Sequence, residues 1–274
     1  MFDPLTKKYP YPEDTSTHYL DVKKDNGLVF DKNYPYIDKR KSFRFKQWLV
    51  RVLLRILVFW LSRIRLGLKI KGRKNIKKYK DVIKDGIISV SNHVHMWDYI
   101  SILDGIRSNK PYYLAWPKNV RGENGKLVRL TGGIPIPENV SGTKEFLKTV
   151  NNHLQNGGWI HIYSEGSMWE FYKPIRPFKK GAAYFACKNN KPILPLAYSY
   201  RKSNWIRRKI FRQIACFTLN IGEPIYKDDN LDKSLQEEDL TRRSHEAVCR
   251  LASIDPKDNI YDAIYNDSKR IDYY

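Results

Sequence analysis

The stretch GIISVSNHVHMWDYISILDGIR, residues 86–107, places the pattern of a buried strand directly before that of a helix. Residues 86–92 form a short apolar run with β-branched side chains, which predicts a strand. Residues 98–107 repeat apolar side chains at helical spacing. The residues between them predict a turn. Such a strand-to-helix junction is where α/β sheets place functional side chains.

The rest of the chain alternates in the same way. Strands are predicted at 111–116, 132–137, 159–166, 191–201 and 217–226. Helices are predicted at 141–158, 179–190 and 234–253, the first capped by Ser141 or Thr143 and ended by Gly157 and Gly158. This alternation predicts the α/β class, with a mixed, largely parallel sheet covered by helices.

Composition limits the class of protein. A chain of 274 residues with 42% hydrophobic residues suits one large α/β domain with an appendage. Cys187, Cys216 and Cys249 lie far apart and form no C-x-x-C pair, so neither a disulfide framework nor a zinc site is expected. Such cysteine usage is typical of a reducing, cytoplasmic setting. The first twenty residues lack the basic and apolar pattern of a secretory signal.

The charge balance indicates an anionic partner. Lys and Arg total 50 against 29 Asp and Glu, a formal net charge of +21. Nucleic acid, anionic lipid headgroups and phosphorylated substrates all meet that description, and composition does not choose among them.

Three regions are predicted along the chain. Residues 1–40 are rich in Tyr, Pro, Lys and Asp. They form either an extended N-terminal arm, laid on the body through Tyr9, Tyr11, Tyr34 and Tyr36, or a partly disordered tail. Residues 41–72 form a basic amphipathic helix, and residues 73–274 the α/β domain.

The helix at 41–72 is predicted to dock on a membrane surface. Its run of Leu, Val, Ile, Phe and Trp is interrupted by Arg51, Arg55, Arg63 and Arg65. Each Arg would cost about 2.5–3.5 kcal/mol at the centre of a bilayer, whereas a helix lying in the interface keeps them at the headgroups. No Asp or Glu occurs from residue 39 to residue 80, which favours anionic lipid. The alternatives are a helix packed on the domain and a spanning helix.

His93 and Asp98 frame the predicted turn and suit general-base catalysis. A neutral imidazole can remove the proton of an alcohol as that alcohol attacks a thioester, and a carboxylate on the other ring nitrogen fixes the tautomer. The acceptor hydroxyl itself is then the nucleophile, so no metal or cofactor is required. By itself, His-x4-Asp also occurs by chance in loops.

Four motifs in order resemble the glycerolipid acyltransferase family, whose members acylate glycerol 3-phosphate or lysophosphatidate. The motifs are NHVHMWD (92–98), IHIYSEGS (160–167), FKKGA (178–182) and PILPLA (192–197). The resemblance spans about residues 70–226. It implies that His93 and Asp98 are catalytic and that 73–274 is an acyltransferase domain.

The resemblance also implies a set of substrate-binding residues. Glu165 would hold the acceptor or order the site, the backbone at Gly166 would approach the substrate, and Lys179 and Lys180 would bind phosphates. For the two lysines, a solvated helix start is the alternative. The full set is Asn92, Gly133, Glu165, Gly166, Ser167, Arg176, Lys179 and Lys180.

Two positions depart from the family pattern. Glu138 and Met168 stand where the family has arginines, the first of which contacts the acceptor phosphate. Glu138 would repel a phosphate if it faced the site. Arg176 or Arg129 could substitute in space, or the acceptor is not a simple phosphomonoester.

The remaining histidines suggest no metal site. His95 lies two residues from His93, but no third ligand stands at metal-binding spacing, so a structural or substrate-lining role is expected. His161 alternates along a strand and is expected to be satisfied in the core or at an edge. Trp97 either lines an acyl channel or packs.

We therefore expect a peripheral enzyme on the cytoplasmic face of a membrane. It would move an acyl group from acyl-CoA or acyl carrier protein to a lysophospholipid, first 1-acylglycerol 3-phosphate, in phospholipid biosynthesis. A different lysolipid or a non-phosphate acceptor is the alternative. A nucleic-acid-binding module and a non-catalytic membrane adaptor are the alternatives from other classes.

Overall fold

Seven strands form one sheet in the computed structural model of the chain, which describes residues 17–18, 22, 24–106, 110–213, 215–257 and 259. The strands are β1 (Lys69–Lys71), β2 (Ile87–Ser91), β3 (Tyr112–Ala115), β4 (Gly133–Pro135), β5 (Trp159–Tyr163), β6 (Ile193–Lys202) and β7 (Ala215–Ile221). Their order across the sheet is β1-β7-β6-β2-β5-β3-β4. Tyr9 and Tyr11 of the predicted arm lie outside the described residues.

The sheet is mixed and mostly parallel, as the sequence predicts. Every neighbouring pair of strands runs parallel except β6 and β7. All five residues of β2 are buried between β5 and β6. The carboxyl ends of the parallel strands therefore meet at one edge of the sheet, and β2 delivers its following turn to the middle of that edge.

Helices cover both faces of the sheet. They are α1 (Lys41–Leu53), α2 (Phe59–Arg65), α3 (Arg73–Lys78), α4 (Lys80–Lys84), α5 (Asp98–Ile106), α6 (Pro117–Arg121), α7 (Gly125–Thr131), α8 (Val140–Gln155), α9 (Gly181–Asn189), α10 (Trp205–Phe211) and α11 (Lys233–Leu251). Helices α8, α9 and α11 contribute to the core on one face, whereas α4 and α5 contribute to the core on the other.

The helical segment predicted at 41–72 is shorter and locally widened. A π-helical turn, Leu54–Val58, joins α1 to α2, and the helix ends at Arg65. Gly67 has φ +57°, and a Cβ there would lie 2.4 Å from the Sγ of Cys216. Only glycine fits this turn, so the chain leaves the helix and forms β1 beside β7.

An ion pair with a buried carboxylate holds this helical segment on the body. Arg63 of α2 donates two hydrogen bonds to the carboxylate of Asp104 on α5, at 2.7 and 2.8 Å. Leu54 and Phe59 pack against Tyr99 and Leu103 of α5. The opposite side of the segment remains apolar and exposed at Phe45, Trp48, Leu49, Leu53, Ile56, Leu57, Trp60, Leu61 and Ile64. Within the described residues, no helix has the length and hydropathy needed to cross a bilayer.

The described part of the arm is packed on the body. Phe30 and Tyr36 are buried in the core, and the Tyr36 hydroxyl donates to the Phe30 carbonyl oxygen at 2.8 Å. Helix α8 begins one residue before the predicted cap Ser141: the side chain of Asn139 accepts a hydrogen bond from the Gly142 N–H at 2.8 Å. Asn139 is therefore the N-cap in place of Ser141 or Thr143.

Candidate active site

His93 and Asp98 meet at the carboxyl edge of the sheet. β2 ends at Ser91 and α5 begins at Asp98, so the two residues flank one tight turn. The Nδ1 of His93 lies 3.0 Å from Oδ2 of Asp98. With an ionised carboxylate, Nδ1 carries the proton and donates it to Asp98, which leaves the lone pair of Nε2 available as a base.

Asp98 is fixed by the turn that it closes. Its Oδ2 also accepts hydrogen bonds from the backbone N–H of Val94, at 2.7 Å, and of His95, at 3.0 Å. Burial raises the pKa of the Asp98 carboxyl to about 7, against the lowering effect of His95 and of these amide donors, which favour the ionised form. The side chain of Tyr198 donates to the Asp98 carbonyl oxygen, which holds the first turn of α5 against β6.

The His93 ring is both held and accessible. It lies flat against the ring of Tyr163, with centroids 3.8 Å apart and an interplanar angle of 15°. The His93 side chain keeps 22% of its surface exposed, so an acceptor can reach it. Burial lowers the pKa of His93 below its usual 6.5, and the imidazole is therefore neutral at pH 7, as a general base requires. No hydrogen-bond partner of Nε2 occurs in the described part of the chain.

Glu165 orders the backbone of His93. One carboxylate oxygen, Oε2, accepts the backbone N–H of His93 at 2.9 Å and a guanidinium N–H of Arg176 at 2.8 Å. The other, Oε1, accepts the backbone N–H of Arg176 at 2.9 Å. Both side chains are almost fully buried. The Glu165 carboxylate therefore holds the backbone of His93 in place. This contact corresponds to the ordering role, the alternative to holding the acceptor.

The loop after Gly166 clamps the same turn. The backbone N–H of Trp169 donates to the His93 carbonyl oxygen at 3.1 Å, and that of Phe171 donates to the Val94 carbonyl oxygen at 2.9 Å. The guanidinium of Arg176 donates to the hydroxyl of Ser167 at 2.6 Å and stacks on the Trp169 ring. Ser167 and Arg176 are thus part of the scaffold that surrounds His93, and both are buried.

Asn92 and Gly133 lie away from the open side of His93. The buried amide of Asn92 donates to the Tyr198 carbonyl oxygen at 3.2 Å and accepts the Tyr198 N–H at 2.8 Å. It thereby extends the pairing of β2 with β6. Gly133 begins β4, three strands from β2, and a Cβ there would lie 2.5 Å from Val128. Close packing of α7 on β4 accounts for this glycine.

Two neighbouring lysines differ in their surroundings. Lys179 is exposed, and its side chain lies across Gly166: a Cβ on that glycine, which has φ +83°, would be 2.7 Å from the Lys179 Cε. No carboxylate partner of Lys179 occurs among the described residues. The ammonium of Lys180 instead donates to Glu238 on α11 at 3.2 Å. Lys179 is therefore the cation at the rim of the site.

The charged groups considered at the two departures from the family pattern all have partners within the described residues. Glu138 is paired with the guanidinium of Arg121. Arg129, a possible substitute cation, donates to the carbonyl oxygens of Pro35, Tyr36 and Gly133 and so binds the arm. Arg176, the other possible substitute, is occupied by Glu165 and Ser167. The guanidinium groups of both arginines are thus engaged by acceptors within the protein.

His95 and His161 have structural partners. The Nδ1 of His95 accepts the backbone N–H of Trp97 at 3.1 Å, within the catalytic turn. His161 lies fully buried between the hydroxyls of Ser89, at 2.9 Å, and Ser91, at 3.3 Å. Burial lowers the pKa of His161 to about 3, so it stays neutral.

Sequence reasoning missed Tyr163 and the contact of the arm with the site. The signal for Tyr163 is its position at the end of a strand, two residues before Glu165. His18 of the arm stacks on Trp116 with ring centroids 3.8 Å apart, and the Thr17 carbonyl oxygen accepts the indole N–H of Trp169 at 3.1 Å. No local pattern in residues 1–40 indicates these contacts.

A cleft of about 660 Å³ lies elsewhere, between α1 and the body. Its lining includes Arg51, Trp48, Lys110, Tyr112 and His153, and neither His93 nor Asp98. Tyr112 begins β3 and His153 precedes β5, so this cleft is near the amino ends of the strands. It is distinct from the catalytic turn at their carboxyl ends.

Comparisons with known proteins place the middle of the chain in a described family. Residues 67–199 match the family model described as Acyltransferase, a segment that contains His93, Asp98, Glu165 and Lys179. No curated protein matches the chain. Among solved structures, the chain is similar to the 1-acyl-sn-glycerophosphate (LPA) acyltransferase PlsC from Thermotoga maritima, with 21% identity, 79% of this chain and 83% of that chain covered, and a TM-score of 0.49. Residues 67–199 therefore form an acyltransferase domain, and the chain is an acyltransferase.

Proposed function

We propose that this acyltransferase moves a fatty acyl group from a thioester to the hydroxyl of a lysophospholipid, with 1-acylglycerol 3-phosphate as the first candidate. The observation that carries the proposal is the bond of His93 Nδ1 to Asp98 Oδ2 at 3.0 Å. It leaves Nε2 unbonded within the described residues, on a ring that is partly exposed. An accessible, unprotonated Nε2 can remove the proton of an acceptor hydroxyl.

The reaction needs only these groups and the two substrates. The acceptor hydroxyl attacks the thioester carbonyl carbon while Nε2 of His93 takes its proton. Asp98 stabilises the imidazolium that forms. The tetrahedral intermediate then collapses, the C–S bond breaks, and His93 returns the proton to the departing thiolate. Acyl-CoA and acyl carrier protein both present such a thioester, and no metal or cofactor enters any step.

Positive charge near the site favours an anionic acceptor. The pKa of His18 is lowered to about 4 by burial and by surrounding cationic groups, among them Arg176, Lys179 and Lys118. Lys179 is exposed at the rim. We assign it to the phosphate of the acceptor, in place of the family arginines that Glu138 and Met168 replace.

The helical segment 41–65 supports a membrane-surface location. Its outward side exposes a row of large apolar residues, including Trp48, Leu53 and Trp60, while no acidic residue occurs between positions 39 and 80. A helix of this kind lies in the plane of an anionic bilayer with its apolar side in the acyl boundary. The enzyme would then be peripheral, on the cytoplasmic face, and would take its acceptor from that surface.

The function can be tested with purified protein. Labelled acyl-CoA and acyl carrier protein are each incubated with lysophosphatidate, lysophosphatidylcholine and monoacylglycerol, and the products are measured by mass spectrometry. We expect transfer to lysophosphatidate. The variants H93A and D98N should lower kcat by about 100-fold to 10,000-fold, the usual contribution of a general base.

Fold controls accompany those variants. Asp81→Asn makes the same chemical change at an exposed position on α4 and should leave activity unchanged. Circular dichroism and thermal unfolding report whether each variant folds. Substantial activity in folded H93A would contradict the mechanism, and transfer only to monoacylglycerol would replace the proposed acceptor.

A further inference from the structure

Helix α10 exposes an apolar face that the core does not use. Trp205, Ile206 and Ile210 are 66%, 44% and 65% exposed. The side chain of Asn204 caps the helix by accepting the Arg207 N–H at 2.9 Å, so the exposed side chains stand on an ordered element. Large apolar side chains exposed singly are ordinary, but three on one short helix form a patch that needs a partner.

The charges around this patch are all positive. No Asp or Glu occurs from residue 201 to residue 222. The flanking cations Lys202, Arg208, Lys209 and Arg212 are exposed, and none pairs with a carboxylate within the described residues. Apolar side chains surrounded by unpaired cations complement an anionic lipid surface, which supplies both phosphates and acyl chains. A nucleic acid would use the cations but would leave two isoleucines in water.

The patch adjoins the apolar side of the N-terminal helical segment. The guanidinium of Arg207 donates to the Ile64 carbonyl oxygen near the end of α2 and also lies beside Gly67. On α2, Trp60, Leu61 and Ile64 are exposed. The end of α2 and helix α10 therefore adjoin, and each exposes apolar side chains.

The patch is also at the catalytic edge of the sheet. Helix α10 follows the carboxyl end of β6, and β6 runs parallel to β2. The two strands point in the same direction, and β6 continues to Lys202 beyond the pairing of Val90 with Pro195, so α10 lies further out on the side of the sheet to which β2 delivers His93. A bilayer that contacts α10 would therefore lie at the end of the sheet where the acceptor hydroxyl must arrive.

We propose that α10 is a second lipid-contacting surface, which inserts Trp205, Ile206 and Ile210 into an anionic bilayer beside α2. Contact by two helices fixes the tilt of the enzyme and turns its catalytic edge towards the membrane. This inference rests on one part of the proposed function, namely that the acceptor is a membrane lipid.

The first test measures vesicle binding by the full chain. Ile206→Ser combined with Ile210→Ser should weaken sedimentation with equal mixtures of phosphatidylglycerol and phosphatidylcholine by about tenfold or more. The control, Val140→Ser combined with Leu235→Ser, removes two apolar side chains that are at least half exposed from α8 and α11 and should bind as wild type. Equal binding by the two double variants, together with no spectral shift of a label at position 210 in the probe described next, would overturn the proposal.

A direct probe of insertion covers the case in which α1 and α2 dominate affinity. An environment-sensitive fluorophore on Ile210→Cys, in a Cys187→Ser background, should shift to the blue with the mixed vesicles, whereas the same label on Val140→Cys should not. Cys187 is the half-buried cysteine, and Cys216 and Cys249 are buried. A bound protein whose label at position 210 does not shift contradicts insertion. If the α10 double variant lost oligonucleotide binding and kept vesicle binding, the patch would be a nucleic-acid surface, and the proposal would be overturned.

Activity separates this inference from the proposed function. The α10 double variant should lose activity on an acceptor embedded in vesicles and keep wild-type kcat on a short-chain acceptor that is monomeric in solution. Equal losses on both acceptors would contradict a docking role. If wild-type protein acylates neither acceptor, the proposed function fails, while vesicle binding and fluorescence still decide the role of α10.

Discussion

Glu165 and Arg176 form an ion pair in the protein interior, with Oε2 and Nη2 2.8 Å apart and the side chains 2% and 1% exposed. The same carboxylate oxygen accepts the His93 backbone N–H. The pair therefore connects the loop 164–176 to the turn that carries His93. Glu165 and Arg176 thereby fix the position of the His93 backbone.

Removal of Arg176 should damage both stability and turnover. Arg176→Met leaves Glu165 buried without its partner, which costs about 3–5 kcal/mol in unfolding free energy in comparable pairs. Urea unfolding measures that loss. In the population that remains folded, kcat should fall while the KM for the acceptor stays the same, because His93 is displaced and no substrate contact is removed.

A surface ion pair provides the control. Lys78 and Glu223 are more than half exposed, so Lys78→Met should change neither unfolding nor kcat appreciably. A rise in KM without a change in kcat for Arg176→Met would mean that Arg176 binds substrate after all.

The sequence predicts the proximity of His93 and Asp98 well because their geometry is local. A buried strand, a turn of six residues and a helix bring His93 to Asp98 without help from distant segments. The mixed sheet follows for the same reason, since alternation of strands and helices restricts the possible topologies. The match to family motifs then supplies the chemistry.

Long-range contacts explain what the sequence does not predict. The sequence offered Arg176 as a cation for phosphate, but Arg176 forms an ion pair with Glu165, eleven residues earlier in the chain. The arginines of 41–65 suggested headgroup contacts, yet Arg63 pairs with Asp104 on α5. Helix α10 is too short to give a clear periodicity. The chain turns at Gly67 after α2, and residue 67 must be glycine because Cys216 leaves no space for a side chain. Each of these outcomes depends on a partner that is distant in sequence.

Tyr163 should support catalysis through its ring alone. Its ring lies against His93, and its buried hydroxyl has no partner among the described residues. Tyr163→Phe keeps the ring and removes an unsatisfied polar group, so activity should persist and unfolding free energy should rise by up to about 1 kcal/mol. Tyr163→Leu removes the flat surface, and kcat should fall by about tenfold because the imidazole is less well oriented.

Both variants are measured by steady-state kinetics and by urea unfolding. A loss of activity in Tyr163→Phe as large as that in Tyr163→Leu would show that the hydroxyl takes part in catalysis. Equal activity in all three proteins would show that stacking has no role.

His161 should make the protein less stable in acid. Its pKa is about 3 in the folded state because it is buried, and about 6.5 when the chain unfolds. Below pH 6.5 the unfolded chain takes up a proton that the folded chain does not, so this contribution to stability is present above pH 6.5 and is lost as the pH falls. Between pH 6.5 and pH 5 the loss is about 2 kcal/mol from this residue.

The comparison of wild type with His161→Gln isolates this contribution. Glutamine retains polar contacts for Ser89 and Ser91 but does not titrate. Wild type should therefore lose about 2 kcal/mol more than the variant between pH 7 and pH 5, as measured by urea unfolding at each pH. An identical pH dependence in the two proteins would mean that His161 is protonated in the folded state.

Lys179 should determine the preference for a phosphate-bearing acceptor. Its ammonium is exposed, has no carboxylate partner within the described residues and lies over Gly166. A hydrogen bond to a charged group contributes about 1.5–3 kcal/mol, so Lys179→Ala should raise the KM for lysophosphatidate by about tenfold or more and leave that for monoacylglycerol unchanged. Lys180→Ala is the matched control, because Lys180 is paired with Glu238, and it should alter neither KM. An increase in the KM for acyl-CoA alone would assign Lys179 to binding of the acyl donor. Equal increases in KM for both acceptors would show that Lys179 shapes the loop around Gly166 without contacting phosphate.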